Sequence, residues 1–349
     1  MLHIALDAMG SDRAPRPEIE GALSAARELG VEILLVGPPH RLQPALRDAG
    51  WTNEPIAILP ASDVVTMDDA AVDAVRAKRD SSVRIGIEAL KQGTAVGFVS
   101  AGNTGAVVAA ATLRLGTLPS VIRPALATVL PTLSGRGTLL LDIGANADCR
   151  PVMLDQFAVM GAAYAARVMG VARPQVGLLS IGEESGKGNA LTREAHGLLR
   201  RHAPHRMFDF IGNVEGKDLY AGVADVVVCD GFTGNVVLKT SEGLAAALLA
   251  LLGRVWDEVT PPPNAATLAE LRRVRAKFDY AEYGGALLLG VPHPIVIAHG
   301  RSTGRAIYNA IRAARDAFLN NVSHQIAANA TAAVVQTAHY NGATHNGRT

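Results

Sequence analysis

The sequence predicts an α/β protein built on a mainly parallel β-sheet with helices on both faces. Two patterns predict this class: apolar, strand-like runs alternate with helical periodicity, and several of those runs end in Gly, Asn or Asp. In open α/β sheets, ligands bind at the carboxyl ends of the strands. With 349 residues, of which 49% are hydrophobic and 4% aromatic, the chain has enough Ala, Val and Leu to fill a sizeable core.

The predicted elements follow one another in a regular order. Strands are predicted where short apolar runs are bounded by polar or Gly residues, at 3–9, 31–37, 55–59, 96–102, 123–131, 137–144, 175–182, 207–213 and 224–231. Helices are predicted where apolar residues recur every three or four positions, at 17–29, 41–49, 72–79, 82–92, 104–115 and 151–169. In the first helix, for example, Ile19, Leu23 and Ala26 share one face.

Residues 240–280 have a different character and predict a helical hairpin. One apolar stripe runs from Leu244 to Val255, a Pro-Pro-Pro break follows at 261–263, and a second stripe covers 268–278. The stripes present more apolar surface than a lone hairpin can bury, so we expect them to pack against a symmetry mate. Residues 1–333 are predicted to form one catalytic unit, with two intertwined subdomains as the alternative, and 334–349 a frayed or disordered tail.

Charge and composition exclude several classes of protein. A formal charge of +1 predicts no general attraction to nucleic acid. The chain enters its first strand at once, without a signal peptide, and no apolar run reaches the ~20 residues of a spanning helix. Two cysteines do not make a disulfide framework. We therefore expect a cytoplasmic protein.

Six Gly/Asn-rich stretches carry the functional signal. Together they predict one composite site built by many loops, which favours an enzyme over a scaffold. They are LDAMGSDRAP (6–15), SAGNTGA (100–106), LDIGAN (141–146), SIGEESGKGN (180–189), FIGNVEG (210–216) and CDGFTGN (229–235).

Two of these stretches have residue types that bind anions. In SAGNTGA, Gly102 and Gly105 allow close approach to a helix N-terminus, where Asn103 and Thr104 add donors; an ordinary helix cap is the alternative. SIGEESGKGN offers Lys187 as a cation and Asn189 as a donor, without the pattern of a Walker A loop. Only six lysines occur in the chain, and three lie in or just after these stretches: Lys187, Lys217 and Lys239.

Other reactive side chains have competing interpretations. Asp7, Asp142 and Asp230 lie at strand ends and could bind Mg²⁺, but we favour loop capping. Cys149 and Cys229 are expected to be inert rather than nucleophilic. His299, in a Gly-flanked loop, is either an acid or donor or a structural histidine. No dinucleotide-binding, zinc or hydrolase motif is present, so no cofactor or metal is predicted.

The motifs in combination resemble the bacterial phosphate acyltransferase family. The resemblance rests on the six stretches, on Lys239 with Glu242-Gly243 after DGFTGN, on EYGGALLLG (282–290) and on AHGRS (298–302). It extends in order from about Leu2 to about Phe318. Ser11 stands where the family usually has glycine, and Ser180 stands where asparagine is common.

The resemblance implies both a reaction and a fold. Acyl-carrier protein and inorganic phosphate would give acyl phosphate, which then serves a membrane acyltransferase that acylates glycerol 3-phosphate in phospholipid synthesis. The fold would be a three-layer α/β/α arrangement around a mixed, mainly parallel sheet, resembling isocitrate and isopropylmalate dehydrogenases. A homodimer with a helical bundle at its interface would explain the projecting hairpin.

This chemistry suits the residues, because phosphate is already an anion and a thiol is a good leaving group. We expect direct attack without an acyl-enzyme. Phosphate and substrate binding are assigned to Ser100, Gly102, Asn103, Thr104, Gly105, Asn189 and Asn213, with Lys187 as the cation. The residues expected to surround the thioester carbonyl are Asn146, Asn235, Lys239 and His299. Asp7 and Asp230 are expected to organise the loops.

Three further expectations complete the sequence interpretation. Acidic carrier protein would dock on a basic cluster, either 272–277 or Arg200, Arg201 and Arg206. The hairpin tip could touch the inner face of the cell membrane. The rival classes are a metal- and NAD-dependent dehydrogenase on the same fold and a non-catalytic binding protein.

Overall fold

A single β-sheet runs through the protein, for which a computed structural model describes residues 1–258, 264, 266–267 and 284–332. Within these residues the sheet has eleven strands. They are β1 Leu2–Asp7, β2 Val31–Gly37, β3 Ile56–Pro60, β4 Gly97–Ser100, β5 Ala125–Leu130, β6 Thr138–Leu141, β7 Gln175–Leu179, β8 Asp209–Val214, β9 Val226–Val228, β10 Ala286–Leu289 and β11 Ile295–Ile297.

Helices cover both faces of the sheet. They are α1 Arg16–Glu28, α2 Pro39–Asp48, α3 Ala71–Ala77, α4 Ser82–Lys91, α5 Thr104–Arg114, α6 Pro151–Arg167, α7 Ala190–His202, α8 Asp218–Ala221, α9 Gly231–Glu258 and α10 Gly304–Leu319. A short 3₁₀ turn, Ala203–His205, follows α7, and residues 322–332 are also helical.

Alternate residues of each buried strand enter two separate hydrophobic cores. On β1, Ile4 and Leu6 join the core that packs under α1, α6, α7 and α10, whereas Ala5 joins the core under α3, α4 and α5. Strands buried on both faces read as continuous apolar runs, which is why the sequence pattern identified them. The result is the three-layer α/β/α arrangement around a mixed, mainly parallel sheet that the sequence predicts.

The sheet reverses direction in its middle. The strand order is β3-β2-β1-β4-β11-β10-β5-β6-β9-β7-β8, and the pairs β11·β10, β10·β5 and β5·β6 are antiparallel. All other pairs are parallel. Three reversals leave β6, β7, β8 and β9 running opposite to β1, β2, β3, β4 and β11, so the two groups end at opposite edges of the hydrogen-bonded ladder.

The twist that β-sheets ordinarily have offsets part of this reversal. Neighbouring strands rotate by roughly 20–25°, so the six steps from β1 to β9 accumulate about 120–150°. A strand that starts antiparallel and is then turned by that angle points within about 30–60° of the first direction. The loops after the two groups form two clusters, and with this twist they can face a shared region, as the predicted composite site requires.

Several predicted elements need correction. No helix was predicted at α7, α8 or α10, and no strand at β10 or β11, which are only three or four residues long between Gly and Pro. The second half of the predicted hairpin, the basic cluster 272–277 and the tail 334–349 lie outside the described residues. A single sheet contains strands from the first to the last part of the described chain. Whether the chain forms one unit or two intertwined subdomains stays a prediction.

The apolar stripe of α9 is exposed. Leu244, Leu248, Leu251, Leu252 and Val255 all lie on the surface of the chain. Within the described residues, 231–255 form one helix long and apolar enough to cross a membrane. This corrects the expectation that no such segment exists, since Lys239 and Glu242 interrupt the run in sequence. By itself a single such helix is weak evidence for a membrane span, because length and composition alone do not distinguish a spanning helix from an apolar helix that packs against protein.

Candidate active site

The first loop cluster consists of the loops after β1, β4 and β11, residues 7–15, 100–103 and 298–303. At its base, the buried Asp7 carboxylate accepts the Met9 N–H at 3.0 Å and the Ser100 hydroxyl at 2.7 Å. The Ser100 Oγ atom in turn accepts the Gly102 N–H at 3.1 Å. Burial raises the pKa of Asp7, and these donors oppose the rise. One carboxyl group thus fixes two loops.

Two glycines let these loops touch through their backbones. A Cβ atom at Gly10 would lie 2.6 Å from the Gly102 nitrogen, so no larger residue fits there. The third loop joins through the Asp12 N–H, which donates to the Gly300 carbonyl at 2.8 Å. The three loops therefore form one rigid group.

Asn103 holds a neighbouring segment rather than presenting its amide to solvent. Its Oδ1 accepts the Ala106 N–H at 3.0 Å and caps α5. Its Nδ2 donates at 3.2 to 3.3 Å to three carbonyls, those of Thr66, Met67 and Asp69. The next two residues, Thr104 and Gly105, are exposed, so the first N–H groups of α5 open toward solvent.

The segment around residues 62–69 is a part of the site that the sequence analysis missed. Met67 is half-exposed and reaches the His299 loop, because a Cβ atom at Gly300 would lie 3.2 Å from its Cε. Lys78 fastens the segment by donating to Asp69 at 2.6 Å and to the Val64 carbonyl at 2.9 Å. The scarcity of lysine in the chain was the one signal that could have drawn attention to it.

His299 is set up as a neutral donor. Its Nδ1 accepts the Arg301 N–H at 3.1 Å, which leaves the proton of the neutral ring on Nε2. Burial lowers the pKa of His299, and the ammonium group of Lys239 lowers it further. A lowered pKa keeps the imidazole neutral at pH 7, so Nε2 carries the ring proton and is a hydrogen-bond donor.

Helix α9 connects the two clusters. Lys239, in its third turn, forms an ion pair with Glu242 at 2.9 Å, and both act electrostatically on His299 in the first loop cluster. The helix starts at Gly231 in the second cluster. With a rise of about 1.5 Å per residue, the eight steps from Gly231 to Lys239 span about 12 Å. The start of α9 in the second cluster and Lys239 beside the first cluster are therefore about 12 Å apart along the helix.

The second loop cluster comprises the loops after β6, β7, β8 and β9, and Asp142 is its anchor. This fully buried carboxyl accepts four N–H groups, those of Leu126, Gly144, Ala145 and Asn146, at 2.7 to 3.1 Å. It also accepts the Asn146 side-chain amide at 2.9 Å. Burial raises the pKa of Asp142 against these donors. The capping interpretation of this aspartate is confirmed.

The Asn146 side chain is engaged in the same network. Its Nδ2 donates both to Asp142 and, at 2.8 Å, to the Pro124 carbonyl. Donation to a substrate carbonyl would therefore require one of these bonds to break. The predicted catalytic role of Asn146 stays a prediction, and the observed geometry gives it a positioning role.

Asp230 and two glycines join α9 to the Asp142 loop. The Asp230 carboxylate accepts the N–H and the hydroxyl of Thr233, both at 2.8 Å, and so caps the helix. The Gly231 N–H donates to the Asn146 carbonyl at 2.8 Å. At Gly234 a Cβ atom would lie 1.9 Å from the Asp142 carbonyl oxygen. Asn235 follows at once and is exposed.

The loop after β7 presents Lys187 to solvent. Asn189 caps α7 by accepting the Thr192 N–H at 2.9 Å. Asn213 is buried, with its Oδ1 3.0 Å from His196 Nδ1 and its Nδ2 donating to the Glu184 carbonyl at 2.8 Å. Asn213 therefore braces the loop from inside, whereas Lys187 is exposed and accessible to a substrate.

Both cysteines are poor nucleophiles. Burial raises the pKa of Cys149 to about 12 and that of Cys229 well above its usual range. Their Sγ atoms donate to the backbone carbonyls of Asn146 and Asp142, at 3.6 and 3.4 Å. At pH 7 on the order of one Cys149 in 10⁵ carries the thiolate that covalent catalysis requires.

We expect Cys149→Ala and Cys229→Ala to keep turnover within about twofold of the unchanged enzyme, because neither thiol is ionised. Steady-state kinetics on the two variants, with circular dichroism to verify folding, measure this. Lost turnover in a folded variant would instead indicate a covalent acyl-enzyme.

The fold and site together define an α/β enzyme. Its candidate site, as described above, offers backbone N–H groups, side-chain amides, an imidazole and separate ammonium groups. A family model described as fatty acid synthesis protein matches residues 2–325. The phosphate acyltransferase of Acidobacterium capsulatum is 49% identical over 329 residues, covering 93% of this chain and 96% of the relative. That of Myxococcus xanthus is 52% identical over 324 residues, covering 90% and 89%. The chain belongs to the phosphate acyltransferase family and is an acyltransferase of lipid synthesis.

Solved structures support the fold. A phosphotransacetylase from Streptococcus pyogenes matches with a TM-score of 0.61 at 19% identity, covering 91% of this chain and 94% of that one. A 4-hydroxythreonine-4-phosphate dehydrogenase from Klebsiella pneumoniae matches with a TM-score of 0.51 at 13% identity, covering 93% and 100%. At these identities the likeness concerns the fold alone. The dehydrogenase interpretation of the activity is not supported by the family.

Proposed function

We propose that this enzyme transfers a fatty acyl group from acyl-carrier protein to inorganic phosphate and so supplies acyl phosphate for phospholipid synthesis. The observation that carries the proposal is the match, along nearly the whole chain, to relatives named phosphate acyltransferase. The chemistry of the two loop clusters supports it, because they offer anion-binding and oxyanion-stabilising groups and two un-ionised thiols.

The reaction is a direct displacement at the thioester carbonyl. An oxygen of hydrogen phosphate attacks the carbonyl carbon, a C–O bond forms, and the C–S bond of the carrier thioester breaks. The proton of hydrogen phosphate ends on the departing sulfur, which gives acyl phosphate and the free carrier thiol. Attacker and leaving group need little acid or base help, so positioning and oxyanion stabilisation supply most of the rate.

Each loop cluster supplies part of the site. Phosphate binds the exposed ammonium of Lys187, the amide of Asn189 and the N–H groups at the start of α5, at Thr104 and Gly105. The Nε2–H of His299 donates to the carbonyl oxygen as negative charge develops there, with Lys239 and Asn235 on α9 adding to the same field. One such donor is worth about 3 kcal/mol in the transition state.

The first experiment is turnover of palmitoyl-carrier protein with and without inorganic phosphate, following released thiol and acyl phosphate together. Phosphate-dependent thiol release with equal acyl phosphate supports the proposal. Release of thiol without phosphate, or no release from folded protein, would contradict it.

Lys187→Met is expected to lower kcat/KM for phosphate about 100-fold, because an ion pair to the attacking anion is lost, while KM for the acyl donor changes little. Lys91→Met is the matched control, since Lys91 is an exposed lysine at the end of α4. Steady-state kinetics at varied phosphate measure both. If the two substitutions had equal effects, Lys187 would not be a phosphate-binding residue.

The assembly proposed with this function is a homodimer. Its interface is the exposed stripe of α9, Leu244 to Val255, because an apolar helix face of that length needs a partner. The enzyme is cytoplasmic and peripheral at the inner face of the membrane, where it delivers acyl phosphate to a membrane glycerol-3-phosphate acyltransferase.

Docking of the acidic carrier protein is proposed at Arg200 and Arg201, which are exposed at the end of α7. The two arginines lie about 15–17 Å along this helix from its start at the Lys187 loop, so the docked carrier has to extend its acyl thioester over that distance to reach the candidate site. Arg206 does not belong to the docking cluster, because its buried guanidinium pairs with Asp155 at 3.4 Å. That pairing corrects its inclusion among the basic surface residues.

A further inference from the structure

Glu18 is a buried carboxyl group beneath the first loop cluster. It lies in the first turn of α1 and is 0% exposed. Its Oε1 accepts the Ser11 N–H at 3.0 Å. Its Oε2 is buried and has no hydrogen-bond partner among the described residues. A carboxylate would leave that oxygen charged and unpaired, whereas a protonated carboxyl group carries a donor of its own.

Burial is the main reason that Glu18 favours its protonated form. Burial raises the pKa of Glu18 to about 7, with a smaller contribution from the Asp7 carboxyl group, and the hydrogen bonds from Ser11 oppose the rise. The elements packed against α1 or beside it carry charges of both signs. The charged residues are Asp7 on β1, Asp12 and Arg13 in the following loop, Glu32 on β2, Arg41, Arg47 and Asp48 on α2, Arg301, Arg305, Arg312, Arg315 and Asp316 before and along α10, and Arg16, Glu20, Arg27 and Glu28 on α1 itself.

The Ser11 contact lies between the residues that join the three loops. Gly10, on one side, packs so closely on Gly102 that an added Cβ atom would lie 2.6 Å from the Gly102 nitrogen, and the Asp12 N–H, on the other side, donates to the Gly300 carbonyl. A shift of Ser11 therefore moves the 7–15 loop against both of its neighbours. Because Glu18 itself is shielded from solvent, it acts through Ser11 and not through substrate.

We propose that Glu18 is a positioning residue whose protonated carboxyl group holds Ser11, and with it the 7–15 loop, in the arrangement that the active site needs. Loss of the proton leaves a buried negative charge on a carboxyl group whose Oε2 has no hydrogen-bond partner among the described residues, and this loosens the loop. This inference rests on the proposed function for its kinetic readout, while the protonation of Glu18 is measurable without any turnover.

The sign of the pH effect follows from protonation. If only the protonated form is active, a group that titrates at about pH 7 lowers kcat/KM about tenfold between pH 6 and pH 8. Phosphate also titrates in this range, and so the informative quantity is the ratio of the unchanged enzyme to Glu18→Gln. Glutamine keeps an acceptor for the Ser11 N–H and cannot ionise.

The experiment compares kcat/KM from pH 5.5 to 8.5 for the unchanged enzyme, Glu18→Gln and Glu20→Gln. Glu20 is the matched control, because it lies on the same helix, pairs with Arg16 and is half-exposed. We expect the unchanged enzyme to fall about tenfold relative to Glu18→Gln between pH 6 and pH 8 and Glu20→Gln to follow the unchanged enzyme. Parallel profiles for all three would overturn the proposal.

A second measurement uses the unchanged protein and does not depend on folding of the variant. In spectra of protein labelled with ¹³C in glutamate and ¹⁵N in the backbone, one Glu carboxyl group should titrate near pH 7. The amide signals of Ser11 and Gly102 should move with the same midpoint. If no carboxyl titrates there, or if the amides do not follow it, the proposal fails. If turnover is absent but a Glu carboxyl group titrates near pH 7 and the two amides follow it, the proposed function fails and the inference about Glu18 stands.

Discussion

Asp142→Ala should lower the free energy of unfolding by about 3–5 kcal/mol and abolish turnover. The substitution removes an acceptor of five hydrogen bonds from the interior and leaves buried N–H groups unpaired, each costing about 1–3 kcal/mol if nothing replaces the acceptor. Relaxation of the loop limits the total. Urea denaturation, followed by fluorescence and by circular dichroism, measures the change.

Asp148→Ala is the control for that experiment, because Asp148 lies in the same loop but is exposed. It should change stability by no more than about 0.5 kcal/mol. If Asp142→Ala cost less than about 1 kcal/mol, the carboxyl group would not be the anchor of the second loop cluster, and the predicted loss of turnover would have no structural basis.

Gly234→Ala and Gly243→Ala should have opposite effects, although both replace a glycine on α9. At Gly234 the new methyl group meets the Asp142 carbonyl oxygen at 1.9 Å, and this is backbone that cannot turn away. We expect a loss of about 3 kcal/mol. A shift of about 1 Å in this loop would also lower activity roughly 100-fold.

At Gly243 the added methyl group meets nothing within 4 Å on an exposed part of the helix. Alanine there should stabilise the protein by about 0.5–1 kcal/mol, because it reduces the freedom of the unfolded chain. Thermal unfolding of the two variants, compared with the unchanged protein, separates the two cases. Destabilisation by both would point to a general intolerance of α9.

Much of the fold could be predicted from the chain because most strands are buried on both faces. Continuous apolar runs such as VEILLVG then stand out, and β2 lies at the predicted residues. By contrast, β10 and β11 pair antiparallel within the sheet and are too short to show a period. Local patterns could therefore not indicate that β10 runs against both of its neighbours, whereas the reversal between the two strand groups lies at the antiparallel β5·β6 pair, whose strands were both predicted.

The site was less predictable, because residue type does not tell which way an amide points. Asn103, Asn146 and Asn213 were all expected to face substrate, yet each amide donates to a backbone carbonyl of a different segment of the chain. Asp7 and Asp142 show the same pattern with carboxylates. Loops that must be rigid use polar side chains internally, and a sequence pattern does not distinguish that use from ligand binding.

The position of β10 and β11 has a consequence for how the chain is made. Both come from residues 286–297, yet they lie between β4 and β5, which are synthesised far earlier. On the ribosome, two half-sheets with open edges at β4 and β5 must wait until about residue 297 has emerged. Open edges attract other strands, so nascent chains are exposed to mispairing throughout that interval.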